Sequence, residues 1–112
     1  MYQPCSIIWV DLGTPPSEVK GHEQGFDRPC VVLKDYTNLK LTTIIPLTTT
    51  KPNYAMYSVV AVPSATTILK DDSYALCHQI RTVSHGRIRK FEGTISNEEF
   101  LKIRGVLFTL LF

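Results

Sequence analysis

His22, Glu23 and Arg28 fall within one short stretch, Gly21 to Pro29, reading GHEQGFDRP. Between them they offer the functions that handling a phosphodiester would require. The His22 imidazole exchanges a proton near neutral pH, the Glu23 carboxylate accepts one, and the planar guanidinium fork of Arg28 suits phosphate or carboxylate. Gly21 and Gly25 permit backbone geometries that a residue with Cβ resists, and Pro29 disfavours helical geometry at Arg28. The stretch therefore reads as a loop-to-strand junction, presenting polar side chains while Cys30 to Leu33 (CVVL) runs into the core. On composition alone a plainer alternative is stronger, a surface turn closed by an Arg–Glu pair.

Two further segments bear on that choice. Pro46 to Lys51 (PLTTTK) ends a strand-like run in Thr48, Thr49 and Thr50 followed by Lys51, a set that can donate several hydrogen bonds to an anionic oxygen. Threonine also simply favours pleated surfaces. His78 to Lys90 (HQIRTVSHGRIRK) holds Arg81, Arg87, Arg89, Lys90 and two histidines without an acid. Such a patch could track a phosphate backbone or be a solvated strand face. Phe26, Tyr54 and Tyr57 could stack on unpaired bases, or pack.

The elements that must hold these groups are short strands. Ser6 to Leu12 (SIIWVDL) reads as the first, ending at a Gly-Thr-Pro-Pro turn signal. Residues 13 to 28 lack either periodicity, and loops of such length in compact domains are usually functional or mobile. Pro29 to Tyr36, Leu39 to Leu47, Tyr57 to Pro63 and Tyr74 to Val83 follow as strands, and Arg87 to Ile95 as an exposed or edge strand. SNEE (Ser96 to Glu99) is a capping box opening a helix whose apolar stripe is Phe100, Ile103, Leu107 and Leu110 or Leu111. The apolar ending VLFTLLF is expected to pack on the sheet, in a subunit interface, or both. The architecture permitted is mainly β, a strongly twisted antiparallel small barrel or half-barrel with a C-terminal helix.

A chain of 112 residues is one domain, 1–112, and a net charge of +2 is too mild to announce nucleic-acid binding by itself. Cys5, Cys30 and Cys77 are odd in number and lack a CxxC pair, which argues against a disulfide framework or zinc ribbon and fits a reducing compartment. Cys30 and Cys77 read as small buried hydrophobes. No apolar run approaches membrane-spanning length and no secretory signal is evident, so a cytoplasmic protein is expected.

The order of IIWVDL, GHEQGFDRPCVVL, PLTT, QIRTV (Gln79 to Val83) and GTISNEEFLKI resembles the MazF/PemK toxins, the ribonuclease half of bacterial type II toxin–antitoxin pairs. That resemblance implies an SH3-like barrel, a homodimer, metal-independent cleavage of single-stranded RNA without a cofactor, and inhibition by a cognate MazE/PemI-like antitoxin. Its catalytic arginine and threonine would fall on Arg28 and Thr48, with His22 and His78 at further positions used by plasmid-borne members. Phe26, Thr49, Lys51, Gln79, Arg81, Arg87 and Arg89 form the expected RNA-binding set. Three features depart from the family pattern. MYQPCS replaces the usual basic-Gly-Asp opening, the loop between Leu12 and Gly21 is longer than in many members, and His78 stands where some relatives carry an acid.

Metal-independent cleavage needs the 2′-hydroxyl deprotonated, charge on the pentacoordinate phosphorus stabilised, and the leaving 5′-oxygen protonated. Arg28 suits the second task rather than proton donation, since guanidinium pKa values exceed about 12. Thr48 could add a hydroxyl to the same oxygens. His22, Glu23 and His78 are the candidate acids and bases, unranked by sequence. Two alternatives belong to other classes: a toxin of the same fold that poisons DNA gyrase, and a catalytically silent binder of RNA or antitoxin. An antitoxin with an acidic, initially disordered segment would be drawn to the Arg81 to Lys90 patch.

Overall fold

Ile7 and Ile8 are both fully buried. Successive side chains of a strand point to opposite faces, so this strand is covered on both sides and the molecule has two apolar layers. The computed structural model describes residues 2–13, 27–51, 58–63 and 71–112. Its strands are β1 (Ser6–Asp11), β2 (Asp27–Tyr36), β3 (Leu41–Thr48), β4 (Val59–Val62), β5 (Ser73–Leu76), β6 (Arg81–Ser84) and β7 (Ile88–Thr94), followed by helix α1 (Asn97–Leu111). Ile7, Val31, Ile45 and Leu47 face one core with Val60, Val62, Ala75 and, from the helix, Ile103 and Leu107. Ile8, Val10, Cys30, Val32, Ile44 and Val83 form the second core on the other face.

All strand pairings are antiparallel, in the order β4-β5-β3-β2-β1-β7, with β6 also on β3. The mainly β class with a C-terminal helix is as expected. Among the described residues the hydrogen-bonded path stays open rather than closing into a barrel. A 3₁₀ turn at Thr37–Leu39, ending on Lys40 in the left-handed region (φ 56°), joins β2 to β3, and a bulge between Val32 and Lys34 bends that hairpin.

Three differences from the sequence expectation bear on the site, each for a physical reason. β2 begins at Asp27, so Arg28 lies inside the strand, opposite Val10, instead of in the preceding loop. The extended geometry imposed on a residue before proline is also strand geometry, and β1 supplies the partner. β3 runs through Thr48, which pairs with Tyr74 of β5. The single strand expected over Tyr74 to Val83 is two, β5 and β6, separated by a 3₁₀ turn at Cys77–Gln79. Leu47 pairs with Ala75 and Ile44 with Arg81. The turn takes up the surplus residues opposite Ile45 and Pro46, and proline has no N–H to offer a neighbouring strand.

Among the described residues β7 pairs only with β1, and it is largely exposed, as its mixed pattern suggested. Ser96 caps the helix, its Oγ accepting from the Glu99 amide at 3.3 Å while the Glu99 carboxylate bonds back to the Ser96 hydroxyl. Phe100, Val106 and Leu110 pack against the first core beside Ile103 and Leu107, whereas Leu101, Phe108, Leu111 and Phe112 remain exposed. Leu110, not Leu111, completes the inward stripe. Among the described residues no helix is long and apolar enough to cross a membrane.

Candidate functional site

Cys30 pairs with Pro46, and this is where the β2–β3 ladder stops. Beyond it the strands part company: Arg28 continues on the β1 ladder opposite Val10, and Thr48 on the β5 ladder opposite Tyr74. By strand alternation Arg28 lies on the face of Cys30 and Thr48 on the face of Pro46, so the two side chains stand on either bank of a fork in the sheet. Both are half-buried. The Thr48 hydroxyl accepts from the Thr50 amide at 3.2 Å, an ST-type turn that leaves the hydroxyl hydrogen available to a further acceptor.

Arg81 joins this fork from β6, half-buried and opposite Ile44. Burial drives the Cys30 thiol far above its ordinary pKa, and the charges that oppose it come from Arg81 and Arg28. The charges of both guanidinium groups therefore act on one buried sulfur. The thiol itself is inert at neutral pH and donates to the Arg28 carbonyl at 3.5 Å. Burial likewise pushes the Cys77 thiol up to about 12. The free, buried state of Cys30 and Cys77 agrees with their expected role as apolar filler.

His78 and Gln79 occupy the 3₁₀ turn between β5 and β6 and are half-buried. His78 Nδ1 lies 2.8 Å from the hydroxyl of Ser58, itself buried. This contact fixes the orientation of the ring. Thr49 and Lys51 lie just past the end of β3, exposed. His22, Glu23, Phe26, Tyr54 and Tyr57 lie outside the described residues.

Arg87 and Arg89 have acidic surroundings that the sequence of their own segment does not reveal. Arg87 Nη1 donates to the Asp11 carbonyl at 3.1 Å. Arg89 Nη2 donates to the Asp11 carboxylate at 3.1 Å, and its Nε lies 3.8 Å from Asp27 Oδ1. Asp11 also accepts from the Gly13 amide at 3.0 Å. That backbone bond is the main influence holding its carboxyl below the usual range, with Arg89 and Arg87 assisting against the cost of desolvation. Asp11, Asp27 and Ser58 were not singled out by the sequence, since each acquires its partner through long-range pairing. At the far end of the β2–β3 hairpin, His85 Nε2 meets Asp35 Oδ1 at 2.7 Å, and Thr42 and Thr37 donate to the same carboxylate.

The PemK-like, MazF-like toxins of type II toxin–antitoxin systems match residues 3–111. The chain belongs to this family. Its fold is similar to that of MazF from Deinococcus radiodurans, with a TM-score of 0.79 at 22% identity over 98% of this chain and 96% of that one. It is also similar to a mycobacterial endoribonuclease solved in complex with its cognate antitoxin (TM-score 0.74, 18% identity, 99% and 95% covered). A third likeness is to the MazE–MazF structure from Deinococcus radiodurans (TM-score 0.72, 18% identity, 98% and 94% covered). No curated protein matches the chain significantly. Family membership agrees with the resemblance carried by the ordered sequence segments. The likenesses at these identities bear on the fold alone.

Proposed function

We propose that this toxin is an endoribonuclease that cuts single-stranded RNA at selected sequences, by attack of the 2′-hydroxyl on the adjacent phosphorus. The observation that carries the proposal is the fork beyond Cys30 and Pro46, with Arg28 on one bank, Thr48 on the other and Arg81 beside them. A phosphate seated there would meet a bidentate guanidinium and a hydroxyl donor, the combination suited to the charge that builds on the non-bridging oxygens. The bond from the 2′-oxygen to phosphorus forms as the bond to the 5′-oxygen breaks. One proton leaves the 2′-hydroxyl and one reaches the departing oxygen, giving a 2′,3′-cyclic phosphate and a 5′-hydroxyl.

His22, Glu23 and His78 are the groups proposed for these proton transfers. Of the three, His78 carries the structural support of a ring oriented by Ser58. Thr49, Lys51, Gln79, Arg81 and Arg87, with Phe26, are proposed to hold the strand on either side of the cut. DNA lacks the attacking hydroxyl and would be refractory. In the same reading the toxin works in the cytoplasm, forms a homodimer through the outward apolar face of α1, and is silenced by a cognate antitoxin.

The test is cleavage of mixed-sequence single-stranded RNA and of the matching DNA, in chelator, with Arg28→Ala alongside. Discrete RNA cuts with cyclic-phosphate ends, absent from the variant, are expected. Intact RNA across diverse sequences would overturn the proposal and turn attention to gyrase.

A further inference from the structure

Arg89 is the surplus residue of a β-bulge. Trp9 pairs with Lys90 and the next residue of β1, Val10, pairs with Ile88, so the register skips Arg89. A bulge re-aims the side chain it carries. Here the side chain reaches Asp11 at 3.1 Å and Asp27 at 3.8 Å, and those two acids are themselves directly opposed as the final rung of the β1–β2 ladder. Like charges facing each other across a ladder repel, and a ladder frays from its end. The next rung inward is Val10 opposite Arg28. Whatever opens the Asp11–Asp27 rung makes Arg28 the terminal residue of the pairing that holds it.

We propose that Arg89 is a positioning residue for Arg28: its charge bridges two carboxylates that would otherwise force the last β1–β2 rung apart. Arg89 thus serves the site by keeping the Arg28 backbone paired, and its guanidinium is committed to protein carboxylates instead of RNA phosphate. Arg87 assists from the same edge by donating to the Asp11 carbonyl, and the Gly13 amide fixes the Asp11 carboxylate from within its own turn. The inference deepens the nuclease reading, and only the activity part of its test rests on that reading.

The experiment compares the full-length wild type, Arg89→Gln, Arg89→Lys, and Arg89→Gln combined with Asp11→Asn and Asp27→Asn. Three quantities are measured: amide hydrogen exchange at Val10, Asp11 and Arg28, the single-turnover cleavage rate at saturating RNA, and the salt dependence of binding to an uncleavable 2′-O-methyl oligonucleotide. Arg89→Gln is expected to speed exchange at these amides about tenfold and to slow cleavage about tenfold, with the slope of affinity against salt unchanged. Neutralising the two aspartates in the same chain should restore both exchange and rate. Arg89→Lys should stay close to wild type. A salt slope reduced by roughly 0.7, the value for one lost single-strand phosphate contact, with exchange unaltered, would overturn the proposal in favour of an RNA contact. Failure of the aspartate substitutions to restore slow exchange would also overturn it. Should the wild type cut no RNA, the nuclease reading falls, while the exchange measurements still decide the role of Arg89.

Discussion

Asp35 and His85 are separated by 50 positions in the chain yet meet at 2.7 Å, the imidazole Nε2 on a carboxylate oxygen that also accepts from Thr42. Thr37 donates to the second oxygen at 3.0 Å, Tyr2 stands edge-on to the imidazole, and the His85 amide donates to the Lys40 carbonyl at 2.9 Å. The cluster fastens the turn that follows β6 to the tip of the β2–β3 hairpin.

Burial opposes ionisation of Asp35, but the hydrogen bonds from Thr42, His85 and Thr37 and the His85 charge outweigh it and hold the carboxyl at about 2. Folding therefore favours the ionised form. The associated stability is complete above the unfolded carboxyl value of about 3.9 and drains away as pH falls through the folded value. His85 is 24% exposed, so solvent screens the pair, and its contribution is on the order of 1 kcal/mol. Urea unfolding of wild type and Asp35→Asn should differ by about that amount at pH 6, and the difference should shrink below about pH 4 and close only below the folded value of about 2. A constant difference across that range would show that the carboxylate charge is not what stabilises the turn.

Arg28→Lys preserves charge but loses the planar fork. On the proposed mechanism the substitution should lower the saturating cleavage rate about 100-fold, far more than its effect on RNA affinity. Thr48→Val removes one hydroxyl donor and should cost about tenfold. Single-turnover kinetics measure both, and a lysine variant with near wild-type rates would mean that charge alone suffices at the fork.

The core-facing side and the N-cap of α1 should respond differently to substitution. Ile103 is fully buried in the first core, so Ile103→Ala should lower unfolding free energy by about 2–4 kcal/mol, and Ser96→Ala, which removes the cap, by about 1 kcal/mol. Equilibrium denaturation reads both. Equal losses at the two sites would contradict the depth difference.

Phe108 and Phe112 stack at 5.5 Å between ring centroids and are 68% and 92% exposed. Replacing both with serine should leave thermal stability of the dilute monomer within about 0.5 kcal/mol and abolish the proposed homodimer in sedimentation velocity. Persistence of a dimer would move the interface elsewhere.

The β-branched and aromatic run from Ser6 to Leu12, the SNEE box and the Thr-Thr-Ile-Ile run were legible because each is a local pattern whose cause lies within a few residues. Arg28 and Thr48 were legible as candidates for holding a phosphate, and the ordered segments as family. Their placement on opposite banks of a fork was not, because it depends on β2 and β3 changing partners beyond Cys30 and Pro46. The break at Cys77–Gln79 was hidden for the same reason: an apolar run looks continuous until its neighbour contains a proline. The acidic partners of Arg89 were not legible either. Its segment lacks acids, and the two it pairs with come from strands more than 60 residues earlier in the chain.

The turn at Cys77–Gln79 acts as a ruler. It sets the phase of β6 against β3, and that phase turns Val83 into the second core while Arg81 stands by the fork. Side chains in a strand alternate, so one residue added to the turn would invert every position of β6. Arg81 would then leave the fork and Val83 would leave the core together. The length of this small connection thus couples the integrity of the fold to the charge offered at the fork, and drift in one cannot occur without loss of the other.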